Sequence, residues 1–132
     1  MSNLSFSTGF RNALLDGITD MSTVFNSGQV DIYSGTIPAD ANAAEGAGTL
    51  LATVDLPASN SFAASAVDGA IAKLGTWTEA SAIATGTAAW FRLRDSAATT
   101  GASTTAVRID GDITISAGGG DLILTTVSIT AT

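Results

Sequence analysis

Thr87-Ala88-Ala89-Trp90-Phe91-Arg92-Leu93-Arg94 is the stretch on which the fold turns. Successive side chains of an extended strand point to opposite faces. Ala88, Trp90 and Arg92 therefore face one way, and Ala89, Phe91 and Leu93 the other. Arg92 and Arg94 share a face, two residues apart, where surface solvation or pairing with another subunit is the default for arginine.

Similar patterns lie on both sides. Upstream, residues 29–34 alternate polar and apolar, with Val30 and Ile32 on one face. Residues 50–56 put Leu50, Ala52, Val54 and Leu56 on one face, and Pro57 closes the strand. Phe62 and residues 67–74 supply one or two strands punctuated by Gly69, Gly75 and Gly86, and Thr76-Trp77-Thr78 opens another. Residues 35–40 form a break, and the Ala-rich 40–48 is one helical turn or a loop. Downstream, residues 95–104 read as a flexible or partner-ordered loop. Ala106-Val107-Arg108-Ile109 leads into Asp110-Gly111, a two-residue hairpin signal, with residues 112–116 as the return strand. Ala117-Gly118-Gly119-Gly120 is a second turn, and residues 121–130 alternate again.

The N-terminus reads differently. Residues 10–16 have helical spacing, with Phe10, Ala13 and Leu14 on one face, Ser7 or Thr8 as N-cap and Gly17 as the stop. Residues 19–25 repeat the pattern with Met21, Val24 and Phe25, ending at Asn26-Ser27-Gly28. The expected architecture is one mostly-β domain, an antiparallel β-sandwich or jelly-roll-like body over residues 29–132 with an N-terminal helical arm over 1–28. No long helices separate the strands, which argues against a parallel α/β sheet.

Composition narrows the function. The 132 residues include neither cysteine nor histidine. Disulfides, thiolate metal sites, His-ligated zinc and Ser-His-Asp or Cys-His catalysis are thereby excluded within this chain. The two glutamates, Glu45 and Glu79, lie in small-residue segments unlike a glycosidase pair, so the expectation is a protein that is not an enzyme and uses no cofactor. Twelve acidic and five basic residues give a net charge of −7, which argues against nucleic acid and anionic membranes as partners. No stretch is long and apolar enough for a transmembrane helix, and Met1-Ser2-Asn3-Leu4-Ser5-Phe6 lacks the basic and apolar regions of a secretory signal. Charged residues make up only 13% of the chain, a poorly solvated surface for a free monomer but a suitable one for an assembled subunit.

Three other constellations stand out in the sequence. Asp110, Asp112 and Asp121 beside glycine-rich turns are the ligand type Ca²⁺ prefers, but their spacing fits no EF-hand loop and turn-setting is the plainer role. Gly118-Gly119-Gly120 is followed by an aspartate and a strand, not by the helix of a phosphate loop. Trp77 and Trp90 together are a possible sugar platform, with core packing as the commoner use of tryptophan.

A wider pattern adds a setting. Leu4-Ser5-Phe6-Ser7-Thr8-Gly9-Phe10-Arg11-Asn12-Ala13-Leu14-Leu15 is followed by Val30-Asp31-Ile32-Tyr33-Ser34-Gly35-Thr36-Ile37-Pro38-Ala39-Asp40-Ala41. Glu45, Gly48-Thr49-Leu50-Leu51-Ala52, Thr85-Gly86-Thr87-Ala88-Ala89-Trp90-Phe91-Arg92 and Arg108-Ile109-Asp110-Gly111 come after. This order resembles a family of small virion-associated proteins of tailed bacteriophages and prophages, over most of the chain. The resemblance implies a virion protein assembled in the host cytoplasm, as a capsid decoration (cement) protein that binds the major capsid protein lattice or other virion proteins. It implies a homo-oligomer, with a trimer favoured, and no catalytic residues. A tail, head–tail connector or fibre-associated protein is the alternative, and a carbohydrate-binding module a further one. Phe6, Phe10, Arg11, Leu14, Arg92 and Arg94 are the candidate partner-interface residues.

Overall fold

The computed structural model describes residues 3–17, 20–68, 70–79, 81–97, 100–116 and 118–132. Thr19, Gly69 and Ala117, expected in a helix start and two turns, lie outside the described residues, as do Met1, Ser2 and Ala98-Thr99 of the 95–104 loop. The elements in chain order are β1 (Ser5–Phe6), α1 (Thr8–Leu15), α2 (Met21–Phe25), β2 (Gln29–Tyr33), β3 (Leu50–Asp55), β4 (Gly86–Thr87), β5 (Trp90–Arg94), β6 (Arg108–Ile115), β7 (Leu122–Leu124) and β8 (Ser128–Ile129).

β5 sits at the centre of the main sheet, whose order is β1-β6-β5-β2-β3, with all neighbours antiparallel. Residues directly opposite each other share a face. The registers Val30↔Leu93, Leu93↔Ile109, Ile32↔Phe91 and Phe91↔Gly111 build an apolar face, to which Ala52 and Val54 of β3 belong. The registers Asp31↔Arg92, Arg92↔Asp110, Gln29↔Arg94, Arg94↔Arg108 and Tyr33↔Trp90 build a polar one. At Leu51 a bulge in β3 inserts an extra residue, and Leu51 joins the core in place of Leu50. A second, two-stranded sheet pairs β4 with β8. The described chain is thus mostly β, with antiparallel sheets, one parallel pair and two short helices.

The N-terminal segment is folded onto the body and does not extend from it as an arm. Ser5 and Phe6 add a strand to β6, and Phe10 and Phe25 lie in the core. Ser7 caps α1 by accepting from the Phe10 amide at 3.1 Å. The same hydroxyl donates to the Ala106 carbonyl at 2.7 Å and accepts from the Arg108 amide at 2.9 Å, so one side chain both starts the helix and ties it to β6. Asp20 caps α2 through the Thr23 amide at 2.7 Å. The Ser22 hydroxyl on α2 exchanges hydrogen bonds with the Phe62 backbone, at 2.8 and 2.7 Å, and anchors the long 58–86 segment.

Five sequence expectations need correcting. Asp110-Gly111 is not a hairpin turn but the middle of the unbroken strand β6. Gly111 lies opposite Phe91, and a Cβ there would stand 2.7 Å from the Phe91 ring, so the glycine makes room for an aromatic across the sheet. The segment 58–86 forms no strand before Gly86 among its described residues, only isolated bridges such as Phe62↔Lys73 and Val67↔Ala70. Its Ala- and Ser-rich composition offers few side chains that profit from pairing. The glycine run after β6 does not make a hairpin either: it wraps the Thr114 side chain and returns the chain parallel to β6, as β7. The Gly120 amide donates to Thr114 Oγ1 at 2.9 Å, and a Cβ at Gly118 or Gly120 would strike that side chain at 2.6 or 2.8 Å. Finally, residues 121–130 split into β7 and β8 on different sheets, and the 87–94 strand breaks at Ala88-Ala89 into β4 and β5.

Candidate functional site

The densest polar chemistry lies on the polar face of the sheet. Arg92 on β5 and Asp110 on β6 are fully buried and joined by two parallel hydrogen bonds, Nε to Oδ1 and Nη2 to Oδ2, each 2.7 Å. This bidentate geometry is the strong form of an arginine–carboxylate pair. Arg92 also donates to Glu45 Oε1 at 2.9 Å and to the Ala43 carbonyl at 3.0 Å. Beside it, Arg94 Nε meets Asp31 Oδ2 at 2.6 Å and Nη2 donates to Gln29, while Thr53 donates to Asp31 at 2.8 Å.

Two loops roof this face. Glu45 belongs to the loop 34–49, and its other oxygen accepts from the Gly101 amide of the loop 95–107 at 2.9 Å. Arg108 Nη1 donates to the Gly101 carbonyl at 2.7 Å, so Gly101 is held at both ends of its residue. Asn42 joins the same loops through the Ser103 amide at 2.8 Å and reaches α1, where it accepts from the Thr8 amide at 2.8 Å. Tyr33 and Trp90 stack beneath, with ring centroids 4.3 Å apart.

The charges respond to this enclosure. Burial, followed by the negative charges of Asp31 and Glu45, pushes the Tyr33 hydroxyl up to about 12. Burial alone raises the Glu45 carboxyl, but the Gly101 amide and the Arg92 and Arg108 charges outweigh it and hold Glu45 below the usual range. Burial works against the charged form of Arg92, yet its bonds to Asp110 and Glu45 carry it above its ordinary value. Burial and repulsion from Arg92 pull Arg108 below its ordinary value.

The candidate interface residues divide. Arg92 and Phe10 are inside the protomer, Arg92 in the ion network and Phe10 in the core, so neither side chain is presented to a partner. Arg94 is mostly buried against Asp31. Arg11 is exposed and donates to Thr8 Oγ1, while Phe6 and Leu14 are 40% and 49% exposed. The two tryptophans cannot share a platform, because Trp90 is buried on the polar face and Trp77 lies over the apolar one. The three aspartates do not converge: Asp110 holds Arg92, Asp112 Oδ2 accepts from Asn3, and Asp121 accepts from the Asp112 amide. Among the described residues no group of acidic side chains is placed to hold a metal ion, and no helix is long and apolar enough to cross a membrane.

Among the described residues a cavity flanks each face of the sheet. One of about 330 Å³ is lined by Gln29, Thr53, Asp55, Ser81, Ile83 and Arg94. The other, about 280 Å³, lies against the apolar face and is lined by Val30, Ile32, Val54, Lys73, Trp77, Leu122 and Leu124. Among the described residues the exposed large apolar side chains include Leu4, Phe6, Leu14 and Leu15 in the N-terminal stretch, and Val67, Leu74, Ile83, Ile115 and Ile123 elsewhere. Sequence reasoning missed Glu45 as the link between loops and Asp110 as the partner of Arg92. The alternation that put Arg92 and Arg94 on one face was readable, but the strand register that brings carboxylates opposite them was not.

No family model, no curated protein and no solved structure matches the chain.

Proposed function

We propose that this chain is a structural subunit of a tailed-phage virion, a capsid decoration (cement) protein that binds the major capsid protein lattice and stabilises the head. The observation that carries the reading is the exposed apolar group Leu4, Phe6, Leu14 and Leu15 on one short N-terminal stretch. Exposed apolar side chains concentrated within residues 4–15 favour a surface that other proteins cover. The buried ions point the same way. Arg92, Asp110 and Glu45 neutralise and hold one another, which suits a stiff structural subunit. The resemblance of the 4–15, 30–41, 85–92 and 108–111 stretches to small virion proteins supplies the setting. In this reading the main sheet and the β4–β8 pair are the layers of a sandwich or jelly-roll-like body, and the subunits assemble as trimers.

The test is the protein content of purified particles from a lysogen that encodes the chain. On the order of hundreds of copies per particle are expected, in heads that weaken to heat when the gene is deleted. About a dozen copies would move the protein to the tail or head–tail junction, and its absence from particles would overturn the reading.

A further inference from the structure

The apolar cavity and the end of α1 complement each other. Trp77, Val30, Ile32, Val54, Leu122 and Leu124 give the cavity its apolar wall, and Lys73 stands at it with Nζ 5.2 Å from the centroid of the Trp77 ring. Arg92, Arg94 and Arg108 are committed to the roofed network, which leaves Arg11 and Lys73 as the cations on the surface of a chain of net charge −7. The cavity thus combines an apolar interior with one of two surface positive charges.

At the C-terminal end of α1 the chemistry is reversed. Among the described residues Leu15 is the most exposed of the large apolar side chains at 86%, Leu14 beside it is 49% exposed, and Asp16 follows as the helix C-cap. The stretch is a pair of aliphatic knobs next to a carboxylate. A cavity of roughly 150 Å³ holds a benzene ring, so one of about 280 Å³ has room for both leucine side chains. Knob and cavity do not occlude each other within a protomer. Neither leucine lines the cavity, which sits at the Trp77 end of a row of rings, Phe6–Phe10–Phe25–Phe62–Trp77, with successive centroids 5.3 to 6.4 Å apart.

We propose that Leu14 and Leu15 of one copy seat in the Trp77 cavity of a second copy, with Asp16 against Lys73. The contact joins two different surfaces, so it is head-to-tail. It closes into a ring when the rotation between copies allows and otherwise runs on as a filament. The idea rests on the assembly reading above but not on its virion setting.

Sedimentation equilibrium of the purified chain tests it. The wild type associates, and Leu15→Asp weakens association about tenfold or more while leaving the fold intact, because Leu15 is solvent-exposed in the protomer. Asp16→Lys and Lys73→Asp each weaken association, and the double swap restores it. Trp77 fluorescence shifts on association, against the constant signal of the buried Trp90. A chain that stays monomeric, an oligomer indifferent to Leu15→Asp, or a double swap no better than either single change would each overturn the contact. The virion reading fails separately. Association in solution with no copies in particles sinks the virion setting alone, whereas abundant copies in particles that tolerate Leu15→Asp sink the contact alone.

Discussion

The two faces of the main sheet solve opposite problems. The polar face carries charge that burial penalises, and the protein meets the penalty by pairing Arg92 with Asp110 and Glu45 and Arg94 with Asp31, by bonding Arg108 to the Gly101 carbonyl, and by closing two loops over them. The apolar face carries Val30, Ile32, Phe91, Leu93 and Ile109, which need only to be kept from water. There α1, α2, β7 and the 58–86 segment lie across it and leave the apolar Trp77 cavity, whereas the cavity on the polar face lies at its Gln29–Arg94 end and is lined by polar side chains as well. Directional bonds specify one arrangement, whereas apolar contact tolerates gaps.

The comparison breaks most sharply at Asp110. Asp110→Ala leaves Arg92 buried beside Glu45 alone, a loss expected to cost about 3–5 kcal/mol in urea unfolding. Replacing both Arg92 and Asp110 with leucine or methionine removes the stranded charge as well, and this double variant is expected to recover most of the stability. A double variant as unstable as Asp110→Ala would mean that the ion pair does more than satisfy its own burial.

On the apolar face the corresponding change is one of volume. Gly111→Ala drives a methyl group to 2.7 Å from the Phe91 ring. Overpacking of this kind costs about 1–3 kcal/mol. Phe91→Leu in the same chain gives the methyl group space and should recover part of the loss. Thermal unfolding of the single and double variants reads the coupling.

These two residues also show why the sequence was legible only in part. Asp110-Gly111 has the composition of a hairpin turn, and local chemistry cannot reveal that Phe91 lies across from the glycine and Arg92 across from the aspartate. That information resides in the β5–β6 register, between residues about 18 apart in the chain. The helices were readable because their caps are local: Ser7 and Asp20 each bond an amide three residues on. The strands β2, β3 and β5 were readable because their alternation is local too. The burial of Arg92 was not, since arginines two apart on a strand look alike whether solvent or carboxylates face them. Nor was the loop closure, which depends on Glu45 meeting Gly101, 56 positions away.

Glu45 is where the roof can be loosened without touching the sheet. Glu45→Gln keeps the shape but weakens the bonds to Arg92 and Gly101, and the partly exposed position limits the cost to about 1–2 kcal/mol. The pH dependence has a definite sign. The folded carboxyl titrates below its unfolded value, so its contribution is present at neutral pH and is lost as pH falls from about 4.5 through the lower folded value. Wild-type stability therefore drops in that acid window more than that of Glu45→Gln, as read by urea unfolding against pH. Equal slopes for the two proteins would place the acid sensitivity elsewhere.

The smallest effect gives the most direct view of the closed face. Tyr33 is the chain's one tyrosine, so phenolate absorbance reports on it without interference from another. Enclosure first, and the nearby Asp31 and Glu45 charges second, hold its hydroxyl neutral up to about 12, against an ordinary value of 10.0. A raised folded value stabilises below the unfolded one and is lost on the way up, so the protein weakens between about pH 10 and about 12 as Tyr33 becomes free to ionise on unfolding. In urea the titration should return to the ordinary value. In folded Glu45→Gln the midpoint should fall slightly, because one of the negative charges that resists the phenolate is gone. A folded wild-type midpoint near 10 would mean that the loops do not close over Tyr33, and the contrast between the loop-covered part of the polar face and the apolar face would then fail at the residue placed to report it.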